Sequence, residues 1–120
     1  MTPEQVAVHF THQDGSYHFA RWGRAIVPVI FGVDAASLPV LKGAIEVVVA
    51  MAGHKMGQLD PELGANLMIF FMADWQELAA TPKLDLMIGD TAALVGRLEA
   101  ANANQYRTCR FDETGAIKAT

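Results

Sequence analysis

The 120-residue sequence has little of what usually marks a chemical or nucleic-acid function. Its single cysteine, Cys109, cannot form an internal disulfide bond. Only 18% of the residues are charged, against roughly 25% in an average soluble domain. The nine Lys and Arg residues are scattered and the formal net charge is −4. A protein that follows phosphate backbones needs clustered cations, so nucleic acid is excluded as an expected partner.

Long apolar segments are also missing. The longest, at 67–73, is far shorter than the about 20 residues that cross a bilayer. The first residues lack the charged and apolar regions of a secretory signal peptide. No transmembrane segment and no leader is therefore expected in this sequence.

Apolar residues, in contrast, are abundant at 52%. Either the core is large, or a partner, a second copy or a segment outside this sequence covers part of the apolar surface. Composition does not distinguish a core from an interface. The length predicts one domain over residues 1–120. Its last predicted strand is still running at Thr120, which leaves open whether the domain is complete.

Periodicity and turn residues predict an α+β fold. Residues 5–22 are typical of an N-terminal β-hairpin that turns at Asp14-Gly15. Pro28 predicts that the strand at 25–31 is an edge strand or carries a bulge. Ser37 is a candidate N-cap for a helix over 37–53 that is apolar, and hence expected to be buried, on most of its circumference.

The second half continues this alternation. The unbroken apolar run at 66–72 predicts a central strand that is covered on both faces. Asp74 and Asp90 are candidate N-caps of two further helices. Strands are predicted at 106–111 and from 116 onward. The order of elements predicts a mixed β-sheet with the helices packed mainly on one face.

Three of the four histidines lie in 9–18, which raises the question of a metal site. In a regular hairpin, His9 and His18 would share one face and His12 would point to the other. Two histidines without a nearby carboxylate make a poor zinc site. His9 and His18 are thus the metal candidates, but solvent-exposed hairpin residues are the favoured interpretation.

Other candidates have simple structural explanations. Arg21 and Trp22 could bind an anionic or aromatic ligand, but Trp22 is more simply a buried residue at the base of the hairpin. A pocket near Trp22 and Trp75 is a further hypothesis. Cys109 is more often a small buried residue than a nucleophile, and the acidic residues suit caps and turns. No catalytic residue and no cofactor is predicted.

Several segments together suggest a family. They are an Arg-Trp pair at Arg21-Trp22, a strand at 26–31, a helix at 38–53, "NLMIFFM" at 66–72 and the cysteine-bearing 106–117. This order, over residues 21–120, resembles a family of uncharacterised proteobacterial proteins, some of them described as lipoproteins. The resemblance implies an α+β fold and a location in the cell envelope.

Members of that family continue into a helix with a Glu-Glu-x-x-Gln stretch, which is similar to the metal-binding helix of zincin peptidases without its histidines. Nothing in this sequence matches that stretch, so the resemblance carries over no catalytic or metal-binding residue.

Two functions follow as hypotheses. The first is a non-catalytic binding or scaffolding module that self-associates as a homodimer. The alternative is the N-terminal half of a zincin-like hydrolase whose catalytic helix lies beyond Thr120. Whether the protein is an enzyme stays open at this point, with the absence of a catalytic motif favouring the first.

Overall fold

The computed structural model describes residues 1–17, 19–59, 61–62 and 64–120. The α+β class is confirmed, because the chain contains both helices and short strands, and the strands form small sheets. The helices are α1 (Pro3–Val8), α2 (Ser37–Met51), α3 (Gln76–Ala80), α4 (Asp85–Ile88) and α5 (Thr91–Ala100). The strands are β1 (Pro28–Phe31), β2 (Leu67–Phe70), β3 (Arg110–Phe111) and β4 (Ile117–Ala119).

The strands form two small sheets rather than the single mixed sheet expected. β1 and β2 pair in parallel, and β3 and β4 pair antiparallel with an irregular register. β3 has only two residues, and among the described residues no strand pairing joins the two sheets. The link between them is Thr120, which accepts from the Met68 N–H and donates to the Asn66 carbonyl, both at 2.9 Å.

β1 is an edge strand of its sheet, as Pro28 predicts, and Pro28 is its first residue. Its last residue, Phe31, stacks on Phe70 of β2 with ring centroids 4.7 Å apart. The prediction that 66–72 is covered on both faces is wrong: every residue of β2 is only half-buried. Continuous apolar sequence usually marks a strand with helices on both sides, and this sheet is not enclosed in that way.

The N-terminal β-hairpin predicted over 5–22 is not confirmed, because the described residues of this segment form no strand ladder. Residues 3–8 are helical, because Thr2 and Gln5 make a reciprocal capping box and Pro3 occupies the first turn. The turn itself survives, with an isolated antiparallel bridge between Thr11 and Tyr17. A local helix signal at the start of the chain thus overrides the alternation that predicted a strand.

The main core lies among α3, α4 and α5. Five buried side chains form it, namely Leu78, Leu84, Leu94, Val95 and Leu98. Trp75 packs against this cluster, and its indole N–H donates to the Ala103 carbonyl at 2.7 Å. Asp90 caps α5 by accepting from the Ala93 N–H at 3.0 Å, as predicted. Asp74 likewise accepts from the N–H groups of Gln76 and Glu77 at the start of α3.

The prediction that Ser37 is the N-cap of α2 is wrong: Ser37 is the first helical residue and Ala36 is the N-cap. Asp34 supports the start of the helix instead. Its carboxylate accepts from the Ser37 N–H at 2.7 Å. The hydrogen bonds from Ser37 lower the pKa of Asp34 below its ordinary value. The prediction that α2 is buried on most of its circumference is wrong, since Val49 is its only buried residue.

Candidate interaction surface

The predicted ligand pair, Arg21 and Trp22, is part of a backbone connection. The Arg21 carbonyl accepts from the Ile117 N–H at 2.6 Å, and Trp22 forms an isolated parallel bridge with Ile117. Trp22 is half-buried, whereas the sequence led us to expect a buried residue, and Arg21 is exposed. The Arg21 guanidinium lies 6.0 Å from the centre of the Phe19 ring, at the limit of a cation–π contact.

The metal candidates do not form a described site. His9 is exposed and caps the C-terminal end of α1, so it does not occupy the strand position from which it would face His18. His18 lies outside the described residues. In the part of the chain that the structure describes, no three His, Cys, Asp or Glu side chains come close enough to hold a metal ion.

Asn66 is a buried polar residue that the sequence interpretation missed. Its side chain is 1% exposed. Its carbonyl oxygen accepts from the Val27 N–H at 2.6 Å, and its amide donates to the Ala25 carbonyl at 2.9 Å. The sequence offered one weak signal of this role, which is a polar residue at the start of an otherwise apolar strand. That signal does not identify the partners of Asn66.

His54 contacts the same segment. Its ring nitrogen Nε2 lies 2.8 Å from the Arg24 carbonyl oxygen, while the Arg24 guanidinium donates to the Gly64 carbonyl at 3.1 Å. These polar contacts hold residues 24–27 in place before β1. They serve the backbone, so neither His54 nor Asn66 is available as a ligand-binding group in this arrangement.

Cys109 is half-buried, and its Sγ accepts a contact from the Thr120 hydroxyl at 3.4 Å. Trp75, the other residue of the hypothetical pocket, lies in the α3–α5 core. A surface depression of about 520 Å³ is lined by residues of 79–92, including Lys83, Asp85 and Asp90. Neither Trp22 nor Trp75 is among its lining residues, so it is not the pocket hypothesised from the sequence.

The most distinctive surface is apolar. One side of α2 exposes Val40 (70%), Val47 (60%), Val48 (65%) and Met51 (83%), with Ala44 between them. We call these five residues the outer face of α2. Residues spaced by three or four lie on one side of a helix. The opposite side carries the half-buried Leu38, Leu41 and Ile45 and the buried Val49.

The whole chain exposes more surface than a compact monomer does. Its accessible area is 9093 Å², whereas a folded monomer of 13.0 kDa is expected to expose about 6,300 Å². Its radius of gyration is 15.8 Å, against about 13.6 Å expected for this length. The excess of roughly 2,700 Å² is large compared with the roughly 800 Å² that each partner buries in a standard interface.

A second exposed cluster lies near the N-terminus. Phe10 is within 6.0 Å of Tyr17 and 6.2 Å of Phe19, measured between ring centroids. All three rings are exposed by more than a third. Aromatic residues of this kind are enriched at protein interfaces, so this cluster is a secondary candidate beside the outer face of α2.

Comparison of the chain with protein-family models, with curated proteins and with solved structures found no match. The likeness to the proteobacterial family, the envelope location and the zincin-like alternative therefore stay hypotheses. Among the described residues, no helix has the length and apolar character needed to cross a membrane.

Proposed function

We propose that this chain is a non-catalytic binding or scaffolding module that self-associates, with a homodimer as its working form. The observation that carries the proposal is the exposed outer face of α2 in a chain that shows roughly 2,700 Å² more surface than a compact monomer of its mass. Exposed apolar patches of this kind mark interaction sites in soluble proteins.

The energetics support an association through this surface. Burying one Val or Met side chain completely contributes about 1.5–3 kcal/mol. The outer face of α2 carries four such side chains. In a symmetric dimer eight of them are covered, which gives a gain of the same order as the association cost of roughly 4–15 kcal/mol.

A second copy is the simplest partner for such a surface. A two-fold axis places the same patch on both subunits, so no other gene product has to match it. The low content of charged residues, 18% of the chain, keeps the electrostatic cost of bringing two copies together small. The proposal therefore assigns the apolar excess of the sequence to an interface instead of a large core.

The experiment is a measurement of molar mass in solution by sedimentation equilibrium, from low micromolar to submillimolar protein. We expect a reversible monomer–dimer equilibrium with a mass approaching twice 13.0 kDa. A monomer at every concentration would contradict self-association. A molar mass that rises beyond that of a dimer as the protein concentration increases would indicate non-specific aggregation. It would also contradict a closed homodimer.

A further inference from the structure

We infer that the dimer forms by antiparallel packing of α2 against α2 of a second copy, with the two-fold axis passing between Ala44 and Val47. This inference rests on the proposed self-association and specifies where and in which orientation it occurs. Its basis is the spacing, size and charge of the residues on the outer face of α2.

The spacing of the exposed residues is that of a helix-pairing seam. Val40, Ala44, Val47 and Met51 are separated by four, three and four positions. This alternation keeps side chains on the line along which two helices pack. Val48 widens the seam on one side. A helix that packs only against its own domain needs one apolar stripe, and α2 has a second one that faces solvent.

The sizes of the residues favour the antiparallel orientation. About an axis between Ala44 and Val47, Ala44 lies opposite Val47 of the partner subunit, and Val40 lies opposite Met51 of the partner subunit. Each smaller side chain then faces a larger one, which fills space evenly. In a parallel pair, Ala44 would face its own copy and leave a gap, and the two Met51 side chains would crowd each other.

Charge favours a second copy over an acidic or basic partner. The whole of α2 is described, and its only charged residues, Lys42 and Glu46, fall outside the seam by helical spacing. Two identical seams therefore meet without like-charge repulsion. Antiparallel packing also sets the opposite ends of the two helix dipoles side by side.

The available area agrees with a dimer. A standard interface buries roughly 800 Å² per partner, and the chain exposes roughly 2,700 Å² beyond the area expected for its mass. The outer face of α2 contributes to this exposed area, and its seam from Val40 to Met51 gives a contact about 16 Å long.

Disulfide trapping distinguishes the two orientations. In a Cys109→Ser background, we would prepare the single variants Val40→Cys and Met51→Cys. Positions 40 and 51 are about 16 Å apart along a helix, whereas a disulfide needs Cα atoms about 4.4–6.8 Å apart. The antiparallel dimer therefore predicts a covalent dimer only when the two variants are mixed and oxidised.

Each variant oxidising efficiently on its own would overturn the antiparallel inference in favour of a parallel pair. No covalent dimer in the mixture, from a protein that sediments as a dimer, would overturn α2 as the interface while leaving self-association intact. A parent protein that sediments only as a monomer would overturn both. These results therefore separate failure of the orientation, of the interface and of the proposed function.

A substitution series gives an independent test. Val47→Glu places a charge at the centre of the seam and should abolish the dimer in sedimentation while leaving circular dichroism unchanged. Leu86→Glu is the matched control, because Leu86 is also highly exposed but lies on α4. A dimer that tolerates Val47→Glu, or one that is lost in Leu86→Glu alone, would contradict the assignment.

Discussion

The side-chain carbonyl of Asn66 accepts a 2.6 Å hydrogen bond from the backbone N–H of Val27, across 39 positions of sequence. The same side chain donates to the Ala25 carbonyl at 2.9 Å. The Asn66 side chain thus satisfies backbone groups of the residues before β1 that a neighbouring strand would otherwise satisfy. Because Asn66 and Val27 are both buried, water cannot replace these hydrogen bonds.

Replacing Asn66 by Ala should therefore destabilise the protein strongly. The Val27 N–H and the Ala25 carbonyl would lose their partners, and each unsatisfied buried group costs about 1–3 kcal/mol. We expect the free energy of unfolding to fall by about 2–4 kcal/mol, measured by urea denaturation. The control is Asn104→Ala, at an exposed position. This variant should change the free energy of unfolding by less than about 0.5 kcal/mol.

A substitution of Asn66 that changes its charge but keeps its shape tests the two hydrogen bonds separately. Asn66→Asp keeps the acceptor for Val27 but removes the amide donor that Ala25 needs. A buried carboxylate facing a carbonyl oxygen is unfavourable, so this variant should also be destabilised. Stability equal to the parent in both variants would show that the Asn66 hydrogen bonds are dispensable.

Gly32 is the second position where we expect a large effect. Its φ is +83°, and a Cβ there would overlap the Phe71 carbonyl oxygen where β1 and β2 end. Gly32→Ala should lower the free energy of unfolding by more than about 2 kcal/mol, because it combines a steric clash with a left-handed conformation.

Gly53 separates these two contributions. Its φ is +71°, but no atom would contact an added Cβ. Gly53→Ala should therefore cost only the conformational part, about 1–2 kcal/mol. Equal losses for Gly32→Ala and Gly53→Ala in the same denaturation experiment would mean that the backbone near Phe71 moves aside.

Local signals in the sequence predicted some elements well. Asp90 caps α5 because a carboxylate at an N-cap needs only neighbouring N–H groups, and Pro28 fixes an edge strand because it has no N–H to donate. Both signals depend on residues that are close in sequence.

The failures involve long-range packing. The outer and inner sides of α2 are both apolar, so its sequence indicates a buried helix although only Val49 is buried. Similarly, the apolar run of β2 does not reveal that its sheet has only two strands. The role of Asn66 depends on residues about 40 positions away, which periodicity cannot identify.

Asp112 gives a prediction of pH dependence. Its Oδ1 accepts from the Thr114 hydroxyl at 2.6 Å and from the N–H groups of Thr114 and Ala116 at 2.8 and 3.0 Å. The Thr114 hydroxyl hydrogen bond is the largest cause that lowers the pKa of Asp112 below the ordinary value of 3.8. The ionised form is therefore favoured in the folded protein.

A lowered pKa in the folded state has a defined consequence for stability. The contribution of Asp112 is fully present above the unfolded-state pKa and is lost as the pH falls through the folded-state pKa. We expect this loss below about pH 4. A carboxyl titration by NMR should give a pKa for Asp112 below 3.8, and Thr114→Ala should raise it.

The control for this titration is Thr108→Ala, at an exposed position before β3, which should leave the Asp112 pKa unchanged. A pKa of Asp112 that stays the same in Thr114→Ala would show that the backbone N–H groups alone determine it. Such a result would contradict the assignment of the Thr114 hydroxyl as the main cause.

The adjacent residues Val48 and Val49 give the last prediction, because both lie on the helix that the sequence predicted to be buried on most of its circumference. Val49 is 6% exposed and Val48 is 65% exposed. Val49→Ala removes two buried methyl groups and should lower the free energy of unfolding by about 1.5–3 kcal/mol at any protein concentration. Val48→Ala should change it by less than about 0.5 kcal/mol under conditions in which the protein is monomeric.

At concentrations that favour the dimer, the two variants should differ in another way. Association adds to the stability of the folded state as protein concentration rises, and Val48 lies on the surface proposed to be covered. Val48→Ala should therefore reduce the concentration dependence of the unfolding midpoint, whereas Val49→Ala should shift the midpoint equally at all concentrations. A midpoint that is independent of concentration in the parent protein would leave Val48→Ala neutral throughout, and the outer face of α2 would then be an exposed surface without a second copy on it.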